Sequence, residues 1–262
     1  MSTLVYPQLE SGALSQYPIR KTKRLRTVIN QAADGSTMRL ADPAAELTEW
    51  RLAYAELSDA EAAALEAFFT AAEGTLNGFT FVDPAGNLLA WSGDFGNAVW
   101  QKDPLLNLTS GAADPAGGTL AWTLSNAGGA GQALGQTIEA PGGYTYCFSV
   151  YVRSAMPATV RLWIGSAVTE RVVTSGWGRL VFAAAPAASE VSVRFAVEAP
   201  GGTAVDVYGP QAEAQGGASV YRQSSRGGVY ADAHLGDDVL RVTRTGFNRN
   251  SCTVNIIHAN HL

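Results

Sequence analysis

The sequence predicts a mainly β protein: a small β-sandwich or barrel-like domain with one α-helix, carrying an inserted β-sandwich. Three observations lead there. Short runs of alternating apolar and polar residues recur along most of the 262 residues, the period of strands with one buried face. Glycine is abundant, at 28 residues, and with proline it separates these runs as turns do in all-β chains. A single stretch, Ser58 to Glu73, combines helical spacing with a cap. At 47% hydrophobic and 16% charged residues, the chain can bury real cores and lacks the composition of disorder.

Taken in order, residues 1–19 read as an extended arm, because Pro7 and Pro18 prevent regular helix. The arm is expected to lie on a neighbouring subunit. Arg20 to Arg26 is a basic run leading into Thr27-Val28-Ile29. It reads as the solvated face of a first strand, where Lys and Arg discourage edge pairing; contact with an acidic neighbour is the alternative. Ala33-Asp34-Gly35-Ser36 is a hairpin turn, and Thr37 to Leu40 returns as a strand. Trp50, Leu52 and Tyr54 then share one strand face. Ser58 followed by Glu61 is a capping box, and the helix it starts runs to about Glu73. That helix presents Leu65, Phe68, Phe69 and Ala72 along one stripe, and Gly74 ends it. Gly78 to Val82 is a strand stopped by Asp83-Pro84.

Pro84 to Asn87 marks a boundary, after which short strands follow closely. They are expected at Gly118–Ser125, Gln132–Glu139, Tyr144–Arg153, Ala158–Gly165, Ala167–Thr174, Trp177–Ala183, Glu190–Glu198 and Thr203–Tyr208. In the last, Val205 and Val207 take one face and Asp206 and Tyr208 the other. Gly209-Pro210 breaks the ladder, since proline has no N–H to donate. Near the end, Asp238–Arg244 and Cys252–Ile257 read as two further strands. Two strands cannot bury enough surface alone, so they are expected to complete the first domain's sheet. The domains are then 1–86 with 231–262, and an insertion at 87–230.

Several of these stretches resemble known families. Thr48–Tyr54, the capped helix at Leu57–Phe69 and the Phe79–Pro84 strand resemble, in that order, the minor tail protein M family of phage lambda and the N-terminal domain of distal tail proteins. Leu88–Ser92, Ala98–Lys102, the Tyr144–Val152 strand, Trp177–Leu180 and the Val205–Tyr221 ending resemble the carbohydrate-binding-like jelly rolls of phage tail proteins. That resemblance covers about residues 87–226. It implies a structural component of the distal tip or baseplate of a long-tailed phage, or of a prophage-derived tail particle. Copies would form a ring around the tail axis, contact tail tube and tail hub proteins, and present the jelly roll to a host surface glycan. The implied location is the virion tail tip, after synthesis in the host bacterial cytoplasm. A stand-alone carbohydrate-binding protein without catalysis is the alternative.

The chemistry-bearing motifs of enzymes are missing from the sequence. It has no Gly-x-Ser-x-Gly elbow, P-loop or HExxH, so no catalytic residue, cofactor or metal is expected. The glycines of Gly128–Gly131 precede no helix, which removes the phosphate-loop reading. Asp94, Asp206 and Glu213 are carboxylates for which a glycosidase pair or a structural calcium remains open. His258 and His261 have the spacing of a metal pair but sit on a chain end. Cys147 and Cys252 are far apart and read as buried free thiols. A net charge of −5 argues against a nucleic-acid partner. No apolar run is long enough for membrane insertion, and the first residues lack a signal-peptide pattern.

One binding surface is expected. If Val160, Leu162 and Ile164 face the core, Arg161 and Trp163 face out. If Phe148, Val150 and Val152 are buried, Tyr151 and Arg153 point the other way. Trp163, Tyr151, Arg161 and Arg153 are therefore the expected carbohydrate-binding residues, with rings against sugar C–H faces and guanidinium groups as donors. The competing reading packs Trp163 and Tyr151 in a second layer or against the first domain, and takes Trp100 and Trp177 as core.

Overall fold

The computed structural model describes residues 4–259. The strands are β1 (Arg20–Gln31) and β2 (Thr37–Leu57), then, after helix α1 (Asp59–Ala72), β3 (Phe79–Val82), β4 (Gln101–Lys102), β5 (Leu106–Ala112), β6 (Ala121–Asn126), β7 (Gln132–Ile138) and β8 (Tyr146–Arg153). There follow β9 (Ala158–Ile164), β10 (Ala167–Val173), β11 (Gly178–Ala184), β12 (Val193–Ala199), β13 (Ala204–Glu213), β14 (Val229–Leu235), β15 (Val242–Gly246) and β16 (Arg249–Ala259). The chain is mainly β and divides into two compact units. One takes residues up to 10, 15–81 and from 230; the other takes 11–14 and 82–229.

The first unit is built on a six-stranded sheet in the order β1-β2-β16-β14-β3, with β15 also paired to β16. Alternation in β2 buries Trp50, Leu52 and Tyr54 on one face. Helix α1 adds Ala62, Leu65, Phe68 and Ala72, and Phe79, Phe81 and Ile256 complete the core. The cap forms as its residues require. Ser58 Oγ accepts from the Glu61 N–H at 3.1 Å, and the Glu61 carboxylate accepts from the Ser58 N–H at 2.9 Å. The helix ends at Ala72, two residues before Gly74, with the C-cap Glu73 in the left-handed region at φ 52°. β14 escapes sequence reading because Ala231, Asp232, Ala233 and His234 carry little of the β-branched or aromatic signal of strands.

The N-terminal arm is a correction. Residues 4–10 lie on the first unit of their own chain rather than on a neighbour. Val5 bridges Thr80 in parallel, and the Tyr6 N–H donates to the Thr80 carbonyl at 3.1 Å. The Tyr6 ring is buried against Phe68, Phe79 and Phe81, with its hydroxyl 2.8 Å from that of Tyr54. β3 offers a free edge, and burying a tyrosine there is worth more than leaving the arm in solvent.

The β1–β2 hairpin turns at Gly35, whose φ of 82° suits glycine. Every residue of β1 is exposed. Large apolar side chains on this ribbon are in solvent too: Leu25 is 76%, Met38 61% and Ile29 56% exposed.

The second unit is a sandwich of two five-stranded antiparallel sheets, β10-β9-β12-β7-β4 and β11-β8-β13-β6-β5. Their inner faces supply the core: Phe148, Val150 and Val152 from β8, Val160, Leu162 and Ile164 from β9, Phe195 and Val197 from β12, and Val205 and Val207 from β13. The Phe195 ring meets Tyr146 and Phe148 across the gap. Residues 154–157 carry the chain from β8 in one sheet to β9 in the other.

In β13 the ladder shifts between Tyr208 and Gln211. Gly209, at φ 60°, and Pro210 form a bulge. The buried side chain of Asn87 holds it. Its Nδ2 donates to the carbonyls of Pro210 (3.0 Å) and Arg222 (3.3 Å), and its Oδ1 accepts from the N–H groups of Leu89 and Ala212, both at 3.1 Å. Asn87→Ala leaves buried backbone groups without partners. It is expected to destabilise the protein by about 3 kcal/mol, read as a lower midpoint in urea unfolding.

Candidate functional site

The pairing of β11, β8, β13 and β6 decides which side chains meet on the outer face of their sheet. Antiparallel register aligns Asp206 with both Arg153 and Thr123, and Tyr208 with Tyr151. It also aligns Arg179 with Tyr151, and Trp177 immediately precedes β11. These residues are half-buried and form two adjoining rows.

In the first row Arg153 Nε donates to Asp206 at 2.9 Å, and the Arg153 guanidinium lies 4.8 Å from the Trp177 ring. The Thr123 hydroxyl donates to the other Asp206 oxygen at 2.7 Å. In the second row the Arg179 guanidinium lies 5.5 Å from the Tyr151 ring and donates to Ser149 Oγ at 2.9 Å. The Tyr151 and Tyr208 rings are 6.0 Å apart, and Tyr221 stands edge-on to Tyr208 at 5.4 Å. Burial raises the phenol pKa of both Tyr208 and Tyr221, so these hydroxyls are neutral hydrogen-bonding groups. Among the described residues, two buried donors on this face, Trp177 Nε1 and Arg179 Nε, meet no protein acceptor.

Beyond these rows the face is closed. Glu213 accepts from Gln211, Gln215 and the Ser219 hydroxyl and N–H. Its carboxylate is thereby occupied, as is that of Asp206. Asp94 accepts from the Gly96 N–H within its own turn. Among the described residues no three His, Cys, Asp or Glu side chains gather as a metal site would need. His258 packs against the Tyr230 ring at 4.9 Å, and His261 lies outside the described residues.

The four side chains expected to form one surface are split. Tyr151 and Arg153 belong to the face just described. Arg161 and Trp163 sit on β9, in the other sheet. β8 and β9 point their apolar sets into one core from opposite sides, so their polar sets point apart. The expectation of a common platform is corrected on that ground. Around Trp163, Nε1 donates to Glu198 at 2.9 Å, while Arg161 pairs with Glu198 and Glu170. Trp177, Arg179 and Tyr208 take the places by Tyr151 and Arg153. Trp177, read as core, is half-buried on the outer face. The signal for Asp206 and Tyr208 was present in the alternation of Val205–Tyr208; the signal for Trp177 and Arg179 needed the β11–β8 register.

The chain's rows of rings and guanidinium groups suit a flat, hydroxylated ligand, with stacking from the rings and hydrogen bonds from the edges. No protein-family model and no curated protein matches the sequence. Solved structures show distant similarity. The xylan-binding CBM22-1 domain of Paenibacillus barcinonensis Xyn10C is 14% identical over 52% of this chain and 99% of its own, at a TM-score of 0.42. The enzymatically active domain of tailspike protein 4 from bacteriophage CBA120 is 12% identical over 51% of this chain and 22% of its own, at 0.40. The CBM22-1–GH10 modules of Clostridium thermocellum Xyn10B are 14% identical over 54% and 30%, also at 0.40. This chain thus spans under a third of the tailspike and Xyn10B chains. Likeness at this level decides nothing about what the chain binds.

Cys147 points to the same outer face beside Glu213, yet is buried. Burial first, and then Glu213, push its thiol up to about 11 against the opposing effect of Arg179. Cys252 is raised to about 11 chiefly by burial. The raised values mean stability from both thiols that is present below pH 9 and lost as pH rises from about 9 to about 11. At pH 8 neither thiol should react with iodoacetamide in the folded protein, and both should react in urea, as peptide mass spectrometry would show.

Proposed function

We propose that the second unit is a non-catalytic glycan-binding module, carried by a structural protein of the distal tail tip of a long-tailed phage or prophage-derived particle. The observation that carries the glycan reading is the pair of rows Trp177–Arg153–Asp206–Thr123 and Arg179–Tyr151–Tyr208. Their rings and polar edges are half-buried and so pre-positioned, which lowers the ordering cost of binding. The tail-tip reading rests on the sequence resemblance at Thr48–Pro84. It is also favoured by the exposed β1–β2 ribbon. Residues 20–47 carry six basic and three acidic side chains, net +3, so the rest of the chain has net −8. A basic ribbon with bare apolar side chains suits docking on an acidic copy, and copies joined head to tail close into a ring when the rotation allows. Tail tube and hub proteins would be the ring's partners.

The glycan reading is tested on a glycan array and with host envelope polysaccharide. Wild type should bind, and Trp177→Ala and Tyr151→Ala should each lose at least about tenfold in affinity with little change in melting temperature. Absence of binding by wild type to every glycan would remove it. Assembly is tested by light scattering after size exclusion. Wild type should form a salt-sensitive oligomer, and Leu25→Ser with Ile29→Ser should reduce it to monomers. A wild type that stays monomeric at high concentration would sink the ring.

A further inference from the structure

We infer that the ligand of this face carries a carboxylate, as a uronic-acid sugar does, and that Arg179 receives it; the inference rests on the glycan reading above. Its basis is the charge left over on the face. Arg153 is neutralised by Asp206 at 2.9 Å. Glu213 is buried and turned to Gln211, Gln215 and Ser219. Arg179 is half-buried and has only a neutral hydroxyl, Ser149 Oγ, as its hydrogen-bond partner. Among the described residues no carboxylate pairs with it, and its Nε is buried without a partner.

A guanidinium taken partly out of water without an anion is costly, and a bound carboxylate removes that cost. Arginine also presents its donors as a planar fork that matches a carboxylate. The opposite sheet supplies an internal contrast. There Arg161 lies between Glu170 and Glu198, and Trp163 Nε1 is satisfied by Glu198. That cluster is closed, whereas the Arg179 cluster lacks an acid. The Tyr151 ring beneath the guanidinium keeps it near the plane where a sugar would stack.

The test compares uronic-acid oligosaccharides with their methyl esters, which keep every ring hydroxyl and remove only the charge. Isothermal titration should show wild type binding an acid about tenfold more tightly than its ester, with the preference shrinking as salt rises. Arg179→Gln should bring the acid down to the affinity of the ester, and Arg179→Lys should restore part of the difference; melting curves check that both variants fold. A wild type that binds neutral sugars or esters without preferring the acid overturns the inference and leaves the glycan reading standing. Persistence of the preference in Arg179→Gln also overturns it. Failure of wild type to bind any sugar, acidic or neutral, removes the glycan reading and this inference together.

Discussion

The second unit depends on the bulge at Gly209-Pro210 and on Asn87, which fastens it. Side chains alternate along a strand, so each added residue moves the following ones to the other face. Tyr208 pairs with Tyr151 and Gln211 with Ser149, three steps on one strand against two on its neighbour. Without the extra residue, Gln211 and Glu213 would point into the core, where their polar groups would lack partners. With it, Tyr208, Gln211 and Glu213 all stand on the outer face. Proline has no N–H to place and glycine tolerates φ 60°, so this pair makes the irregularity at low cost. The carbonyls and N–H groups that the bulge frees need partners. One asparagine meets two of them, donating to the Pro210 carbonyl and accepting from the Ala212 N–H, and its further bonds to the Leu89 N–H and the Arg222 carbonyl join residues 87–89, 210–212 and 222. A single carboxamide therefore links the start of the unit to the strand that carries part of the candidate face.

The two outer faces of the sandwich show how the same residue types produce different surfaces. Around Trp163 each donor meets an acid, and the cluster saturates itself. Around Trp177 and Arg179 the acids are fewer and already occupied, which leaves two donors without partners. Buried polar groups are nearly always satisfied in folded proteins, and a pair of exceptions on one face is hard to account for by stability. Each costs the folded state something on the order of 1–3 kcal/mol. The proposed glycan face is therefore the one whose donors the acids around it leave partly unmet, whereas the acids around Trp163 engage its ring N–H and Arg161.

Much of this arrangement was legible in the sequence. Local signals succeeded wherever they were local in cause: the Ser58–Glu61 cap, the Trp50–Leu52–Tyr54 face, the inward sets of β8 and β9, and the break at Gly209-Pro210. The candidate site was half legible. The outward placement of Tyr151 and Arg153 was legible, because alternation fixes their face. Arg161 and Trp163 also leave the core, but residues 154–157 carry the chain into the other sheet, so they leave it on the opposite side. Alternation reports which residues leave the core, but not through which side of a sandwich they leave. The arm failed for a related reason. Its prolines exclude helix, but nothing in its own composition shows that β3 has a free edge for Val5 and Tyr6.

The β1–β2 ribbon raises the remaining physical question, which is what holds it. Its outer part has no second layer, and isolated two-stranded ribbons are marginal in water. Cross-strand ion pairs, Lys23–Glu46, Arg24–Glu49 and Arg26–Asp42, fix its register. All three have a basic side chain largely in solvent, and such pairs are worth about 0–1 kcal/mol each. Screening by salt weakens them further. They specify the pairing of the strands better than they stabilise it. The exposed Leu25, Ile29 and Met38 side chains add nothing while they face water, but each would contribute about 1.5–3 kcal/mol if fully covered. The larger part of the ribbon's possible stability is thus unrealised within one chain. The ribbon's proposed role in assembly and the proposed glycan face therefore rest on the same kind of observation: groups that the folded chain positions but leaves without a partner among the described residues.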